Sequence, residues 1–386
     1  MFFGVAVLGF GGVFLDTDPF PFFRTASVID ESEVALDVDL PEPSSFREDP
    51  SGDMPVSGNI HRPEFDSFWD NTLQPDSWAA SVRKDGYKLP FKKTPVPYEE
   101  RNNKTAREDL PYVREAVHKL LSKGSVKRLQ CKPSCVNPLS VSSRTVDTKL
   151  KKRLCLDLSR HVNPLLRKDC MKMTTLSRAL LLVDPGDFQA TLDLLSAYHH
   201  IRIHPEFHTF LGFCVPDDAG NPVYYCYTVL PFGLTTAAQV LARMTKPVCV
   251  YLASKGIKFP LYIDDGNVFA ASRFLCEQHL RFVLDTFEKA GYVISSAKTD
   301  KPADISQVKS YLGFIINTIE MKIYASAEKI ASTHLTLRDV LDSTATSFPV
   351  RQIASVIGKV ISLEIAFGPV VQLLSRCAQR DFIFSS

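Results

Sequence analysis

Residues 258–272, KFPLYIDDGNVFAAS, set two aspartates side by side between apolar runs, and this limits what the surrounding chain can become. Apolar runs flanking Asp-Asp-Gly read as two strands joined by a tight turn, with Asp-Gly supplying the positive-φ geometry of a two-residue hairpin. Asp264 and Asp265 then sit at a hairpin tip beside a hydrophobic sheet. Adjacent carboxylates repel, and holding both there is unfavourable unless something positive lies between or beside them. A divalent cation meets that need. The alternative is a solvated pair of turn residues, since Asp is common in turns. A third carboxylate closing another apolar strand would decide between the two.

The rest of the chain supplies ample core material: 386 residues, 45% hydrophobic and 23% charged, fit two or three globular domains. A net charge of +2 hides an uneven distribution. Residues 1–75 carry 14 acidic residues against Arg24, Arg47 and Arg62, a balance of −11 that leaves +13 for the remainder. A basic body suits a polyanionic partner. Nine cysteines without paired short spacings argue for reduced thiols and an intracellular protein, in cytoplasm or nucleus. CKPSC (Cys131, Cys135) lacks the second close pair that a zinc site with Cys155 or His161 would want. The opening MFFGVAVLGFGGVFL is short for a bilayer span and has no basic leader before Arg24, so neither a secretory signal nor a membrane partner is expected.

Residues 1–62 read as an acidic, disordered lead-in, rich in Asp, Glu, Pro and Ser from residue 16, with the ordered part starting near Pro63. EDLPYVREAVHKLLSKG puts Leu110, Val113, Val117, Leu120 and Leu121 on one helical face, with Asp109 as N-cap and Gly124 as stop. FLCEQHLRFVLDTFEKAG predicts a second helix ending at Gly291, directly after the Asp-Asp hairpin. QATLDLL begins with a strand, PVYYCYTVLPFGL reads as a strand broken at Pro231 and Gly233, and TTAAQVLARMTKPVCVYLAS continues as helix. FPVRQIASVIGKVISLEIAF has helical spacing and closes the chain with a helical module. The class is α+β.

The third carboxylate stands in ATLDLL, where Asp193 closes a strand of apolar and β-propensity residues. Beside the hairpin it brings three carboxylates to one sheet edge. Such a cluster suits two Mg²⁺ ions about 3.5–4 Å apart, which activate one oxygen nucleophile and stabilise one leaving oxygen in phosphoryl displacement. LDLLSAY, LPFGLTTA, YIDD, GYVISSAKT and YLGFII, in that order, resemble the successive motifs of a reverse transcriptase. LPFGL, RLCLDLSRHVN and RQIASVIGKVIS are more similar to long-terminal-repeat or tyrosine-recombinase (DIRS-like) retrotransposons than to retroviruses. The resemblance covers residues 63–376.

This resemblance implies a right-hand polymerase: fingers mainly in 63–185, palm mainly in 186–322 with a fingers portion near 201–229, and a thumb-like module in 323–386. It implies an RNA-directed DNA polymerase with two Mg²⁺ ions, or Mn²⁺, acting on an RNA or DNA template with primer and on deoxynucleoside triphosphates. The alternative is an inactive retroelement-derived nucleic-acid-binding protein. Asp193, Asp264 and Asp265 would hold the metals. Tyr198 would be the gate against the sugar 2′-hydroxyl, which argues against a ribonucleotide polymerase. Arg153, from the run Lys149, Lys151, Lys152, Arg153, would bind the triphosphate through its planar guanidinium. Phe232 and Gly233 would meet nucleotide and template, the glycine allowing close backbone approach. Lys298 would protonate the departing pyrophosphate, and Tyr311, Leu312 and Gly313 would form the primer grip. Ala238 departs from the proline many relatives carry after LTTA. An end at Ser386 leaves no room for a ribonuclease H, integrase or recombinase domain, so the chain reads as a piece of a longer element.

Overall fold

The computed structural model describes residues 56–146, 149–167, 175–343 and 348–376. The chain divides into two compact units between Met321 and Lys322.

In the larger unit the β-propensity segments pair into four groups. A five-stranded sheet runs β1 (Tyr98–Glu99), β3 (Cys135–Asn137), β7 (Gly212–Pro216), β8 (Pro222–Tyr227), β2 (Val126–Arg128). Its first two pairings are parallel and its last two antiparallel. A separate antiparallel hairpin joins β4 (Leu139–Val146) to β5 (Lys149–Leu156). An antiparallel sheet has the order β6 (Phe188–Asp193), β10 (Asp265–Ala270), β9 (Leu261–Tyr262). A last hairpin pairs β11 (Val308–Tyr311) with β12 (Phe314–Asn317).

Helices form where apolar residues recur at helical spacing; the expected N-cap Asp109 makes no side-chain bond to the helix that begins at Leu110, its carboxylate accepting from Lys152 instead. They are α1 (Asp66–Phe68), α2 (Ser77–Asp85), α3 (Lys104–Glu108), α4 (Leu110–Ser122), α5 (Leu176–Leu180), α6 (Ala237–Ser254) and α7 (Arg273–Lys289). The Ser272 hydroxyl caps α7 by accepting from the Leu275 N–H at 3.1 Å, and Gly291 ends the segment at φ 85°, where a side chain would be strained. Packed across β6 and β10, α7 buries Cys276, Leu280, Val283 and Phe287. The strand-strand-helix order expected around the Asp-Asp pair is therefore present. Among the described residues no helix is long and apolar enough to cross a membrane.

The smaller unit has β13 (Lys322–Ala325) followed by α8 (Ala327–Leu341), α9 (Val350–Ile361) and α10 (Glu364–Phe367). Lys359 of α9 donates to the Ser332 hydroxyl of α8 at 3.1 Å and also to Thr336 Oγ1, fixing the two helices together.

Two expectations need correction. Residues 1–55 lie outside the described residues, but 56–62 are built into the body rather than left as lead-in. Val56 and Ile60 are buried, the Gly58 N–H donates to the His199 carbonyl at 2.8 Å, and Asn59 Nδ2 to the Gly291 carbonyl at 2.7 Å. The hairpin turn also differs. Ile263, not Gly266, takes positive φ, at 60°. Gly266 is a strand residue facing Leu192 and Leu261, and a β-carbon there would lie 2.4 Å from Phe259 Cζ. Packing of the Phe259 ring, not turn geometry, demands that glycine.

Gly266→Ala should accordingly destabilise the larger unit by about 1–3 kcal/mol, the usual effect of overpacking a full core. The check is the denaturation midpoint in urea; an unchanged midpoint would mean the ring yields freely.

Candidate active site

Antiparallel pairing puts Asp265, the first residue of β10, directly opposite Asp193, the last of β6. The Leu194 N–H donates to the Asp264 carbonyl at 2.9 Å, so all three aspartates meet at one edge. Ile263 is held in a left-handed conformation that costs a β-branched residue of order 1–3 kcal/mol, and it sits between Tyr262 and Asp264 in this turn.

The site lacks enough positive charge to balance these acids. The Asp265 carboxyl is pushed up to about 6, chiefly by burial and then by Asp193 and Asp264. Asp264 is raised by burial first and then by Asp193, with Lys298 and Arg153 opposing the shift. Both oxygens of Asp193 accept from Lys298 Nζ, at 2.9 and 2.8 Å.

Backbone contacts tie the 295–300 turn to β6. The Ser295 N–H donates to the Asp193 carbonyl at 2.8 Å, and the Asp193 N–H to Thr299 Oγ1 at 3.3 Å. Asp300 Oδ2 accepts from the Thr191 N–H and hydroxyl at 2.6 and 2.9 Å and pairs with Lys309 at 2.7 Å. Thr299 and Asp300 were not singled out in the sequence, although they directly follow Lys298.

A second cluster faces Asp264. Its carboxylate helps to raise the Tyr198 phenol, after burial. The rings of Tyr198 and Phe232 meet edge to face at 5.2 Å, and the Arg153 guanidinium lies 6.0 Å from the Phe232 ring centre. Lys152 is diverted to Asp109 at 2.5 Å, and the Lys149 side chain lies outside the described residues.

Gly233 has φ 107°, and a β-carbon there would stand 1.9 Å from the Leu156 carbonyl oxygen. The close approach that requires glycine is to this chain's own backbone. Asn163, also missed in the sequence, donates through Nδ2 to the Gly233 carbonyl at 2.8 Å and accepts the Thr235 N–H at 3.0 Å. His200 anchors the turn bearing Tyr198. Its Nε2 accepts the Val293 N–H at 2.8 Å and its Nδ1 bonds the Ala197 carbonyl at 3.1 Å, while burial lowers its pKa to about 3 and keeps it neutral.

At the β11–β12 turn, Leu312 and Gly313 both take positive φ, 51° and 79°. The Tyr311 ring is buried, its hydroxyl donating to the carbonyls of Pro260 at 3.1 Å and Asp265 at 3.3 Å. Tyr311 therefore braces the Asp-Asp hairpin from behind, while Leu312 is half-buried and Gly313 exposed.

Among the described residues no three His, Cys, Asp or Glu side chains converge as a ready metal cage. This holds for CKPSC as well, where Cys135 is buried in β3. At the aspartates, Lys298 takes up both Asp193 oxygens. Their chemistry nonetheless fits a hard divalent cation, with oxygen donors only, held on strand ends, and two of the three carboxyls raised by burial and then by neighbouring like charge.

Residues 133–316 match the family described as reverse transcriptase (RNA-dependent DNA polymerase). These residues form a reverse transcriptase domain. The chain is 29% identical over 166 residues to the retrovirus-related Pol polyprotein from transposon gypsy of Drosophila melanogaster, in keeping with a retrotransposon domain. That match covers 43% of this chain and 15% of the polyprotein. A foamy viral protease-reverse transcriptase solved with an RNA/DNA hybrid superposes at TM-score 0.54 and 17% identity, over 75% of this chain and 36% of the other. A foamy viral protease-reverse transcriptase dRH solved with double-stranded DNA gives 0.52 and 18%, over 71% and 43%. The reverse transcriptase domain therefore has the α+β right-hand polymerase fold, and the chain spans less than half the length of these relatives.

The raised Asp265 carboxyl has a consequence for stability. In the unfolded chain an aspartate titrates near about 3.9, so folded Asp265 binds its proton more tightly and the fold loses stability as pH rises through about 6. Asp265→Asn should stabilise the fold at pH 8 in metal-free buffer by on the order of 1 kcal/mol after solvent screening, read as a higher thermal midpoint, with the gap closing towards pH 4. Equal gaps at both pH values would contradict the assignment.

Proposed function

We propose that this chain is an RNA-directed DNA polymerase, a nucleotidyltransferase that extends a primer on an RNA or DNA template with deoxynucleoside triphosphates. The observation that carries this reading is the pairing of Asp193 with Asp265 across β6 and β10, with Asp264 beside them. The solved neighbours' complexes with DNA and RNA/DNA hybrid support a nucleic-acid partner.

Asp193, Asp264 and Asp265 would hold two Mg²⁺ ions, or Mn²⁺. Bound there, such ions would supply Lewis-acid stabilisation for an attacking and a leaving oxygen in an in-line displacement. Arg153 binds the triphosphate of the incoming nucleotide, its exposed guanidinium steadied against Phe232. Phe232 is 37% exposed and offers its free face to base or template. Gly233 keeps that loop pressed on β5 rather than touching substrate itself. Tyr198, backed by Phe232, lies beneath the sugar and leaves no room for a 2′-hydroxyl. Lys298, once free of Asp193, gives its proton to the departing pyrophosphate. The turn at Leu312 and Gly313, braced by Tyr311, holds the primer end. Residues 63–185 then serve mainly as fingers, 186–322 as palm with a fingers portion in 201–229, and 323–386 as thumb.

Purified protein with a primed RNA template, Mg²⁺ and labelled deoxynucleotides should extend the primer, and Asp264→Asn should reduce extension by about 10²–10³-fold or more while template binding persists. Binding without extension in the parent protein would favour an inactive nucleic-acid-binding relative.

Tyr198→Ala should admit ribonucleotides, raising their incorporation relative to deoxynucleotides by at least about tenfold, on the scale of a lost steric contact. Unaltered sugar selectivity in single-nucleotide incorporation assays would remove the gate.

A further inference from the structure

We propose that Lys298 is a tethered counter-ion that competes with the catalytic metal for Asp193 and so sets the metal affinity of the site. This deepens the polymerase reading and rests on it.

The contact is built into the backbone. Lys298 belongs to a turn whose Ser295 N–H and Thr299 hydroxyl hold the carbonyl and the N–H of Asp193, and its own N–H donates to the Ser295 carbonyl at 3.1 Å. The loop that grips the end of β6 therefore also aims the ammonium at the carboxylate of the same residue. Two bonds, at 2.9 and 2.8 Å, occupy both carboxylate oxygens. While this pair stands, the Asp193 carboxylate is engaged by the ammonium rather than turned to Asp264 and Asp265.

The pair is nevertheless poised to open. Lys298 is 62% exposed against 14% for Asp193, so the ammonium can withdraw into water at little cost while the carboxylate stays where β6 holds it. A cation that binds only the open form has its affinity reduced by the fraction of time the pair is open. In the absence of metal, Lys298 offsets the repulsion of Asp193 on Asp264 and Asp265; when metal binds, the released ammonium lies beside the reacting phosphates. One side chain thus serves as resting counter-charge and as proton donor in turn.

The test is Mn²⁺ titration of the full chain without nucleotide or template, with free Mn²⁺ read by electron paramagnetic resonance. Lys298→Met and Lys298→Gln should bind Mn²⁺ about fivefold more tightly than the parent, matching the loss of one exposed ion pair. Lys298→Arg, which keeps a charge able to pair with Asp193, should stay near the parent value. Asp264→Asn should abolish binding in both the parent and the Lys298→Met background. If binding depends on Asp264 but is unchanged or weaker in both neutral variants, the counter-ion role is overturned and the metal site stands. Binding indifferent to Asp264→Asn would overturn the metal site and this proposal with it. Thermal midpoints establish that each variant folds, and Lys298→Gln carries the test alone if Lys298→Met does not.

Discussion

Three carboxylates held at the meeting edge of two paired strands are the constraint on which the rest of this molecule depends. Like charges at such spacing oppose the fold, and their low-dielectric surroundings strengthen the opposition. The repulsion is resisted by structure supplied from several directions. The helix α7 packs across β6 and β10, Tyr311 bonds the Asp265 carbonyl, and the Ser295–Thr299 turn grips both backbone groups of Asp193. Deeper still, buried Gln189 donates to the carbonyls of Gln307 and Ile316 and accepts from Asn267, joining β6 to β10 and to the β11–β12 hairpin. Rigid support of this kind is what lets strained Ile263 and crowded acids persist.

The wall opposite is made of segments with no sequence proximity. Arg153 comes from β5, Tyr198 from the turn after β6, and Phe232 from the loop before α6. What holds them together is polar and local to the backbone: Leu156 donating to the Phe232 carbonyl at 3.1 Å, Asn163 bracketing Gly233 and Thr235, and His200 bonded on both ring nitrogens. The His200 bonds are buried or half-buried, in a low-dielectric setting where losing a partner is costly. Residues behind these side chains satisfy the backbone that carries them.

Much of this was legible in the chain itself. The helices at 110–122 and 273–289 follow from apolar spacing, the second also from its Ser272 cap, and the three aspartates announce themselves by standing at the ends of apolar runs. Gly233 and Gly266 stand out in the chain, but the reasons it suggests, approach to substrate and a positive-φ turn, give way to the Leu156 carbonyl and the Phe259 ring, because a glycine in a string does not name the atom that approaches it. Asn163, Thr299, Asp300 and His200 went unremarked because each acts through bonds to distant backbone, and a polar residue carries no mark of where its partner lies. The start of the ordered body was set too late, since an acidic, proline-rich stretch gave no sign that Ile60 would be buried.

The sequence by itself determined the residue types, their order and the local elements: acids, guanidinium, tyrosine ring and lysine, each on a strand or turn set by periodicity and punctuation within a few residues. Only the tertiary structure decided the register that sets Asp193 against Asp265, the placing of the Lys298 ammonium on Asp193, and the pressing of Gly233 onto Leu156. Those are contacts between segments tens of residues apart. Their distances follow from how sheets pair and loops close in space, and no local propensity encodes that.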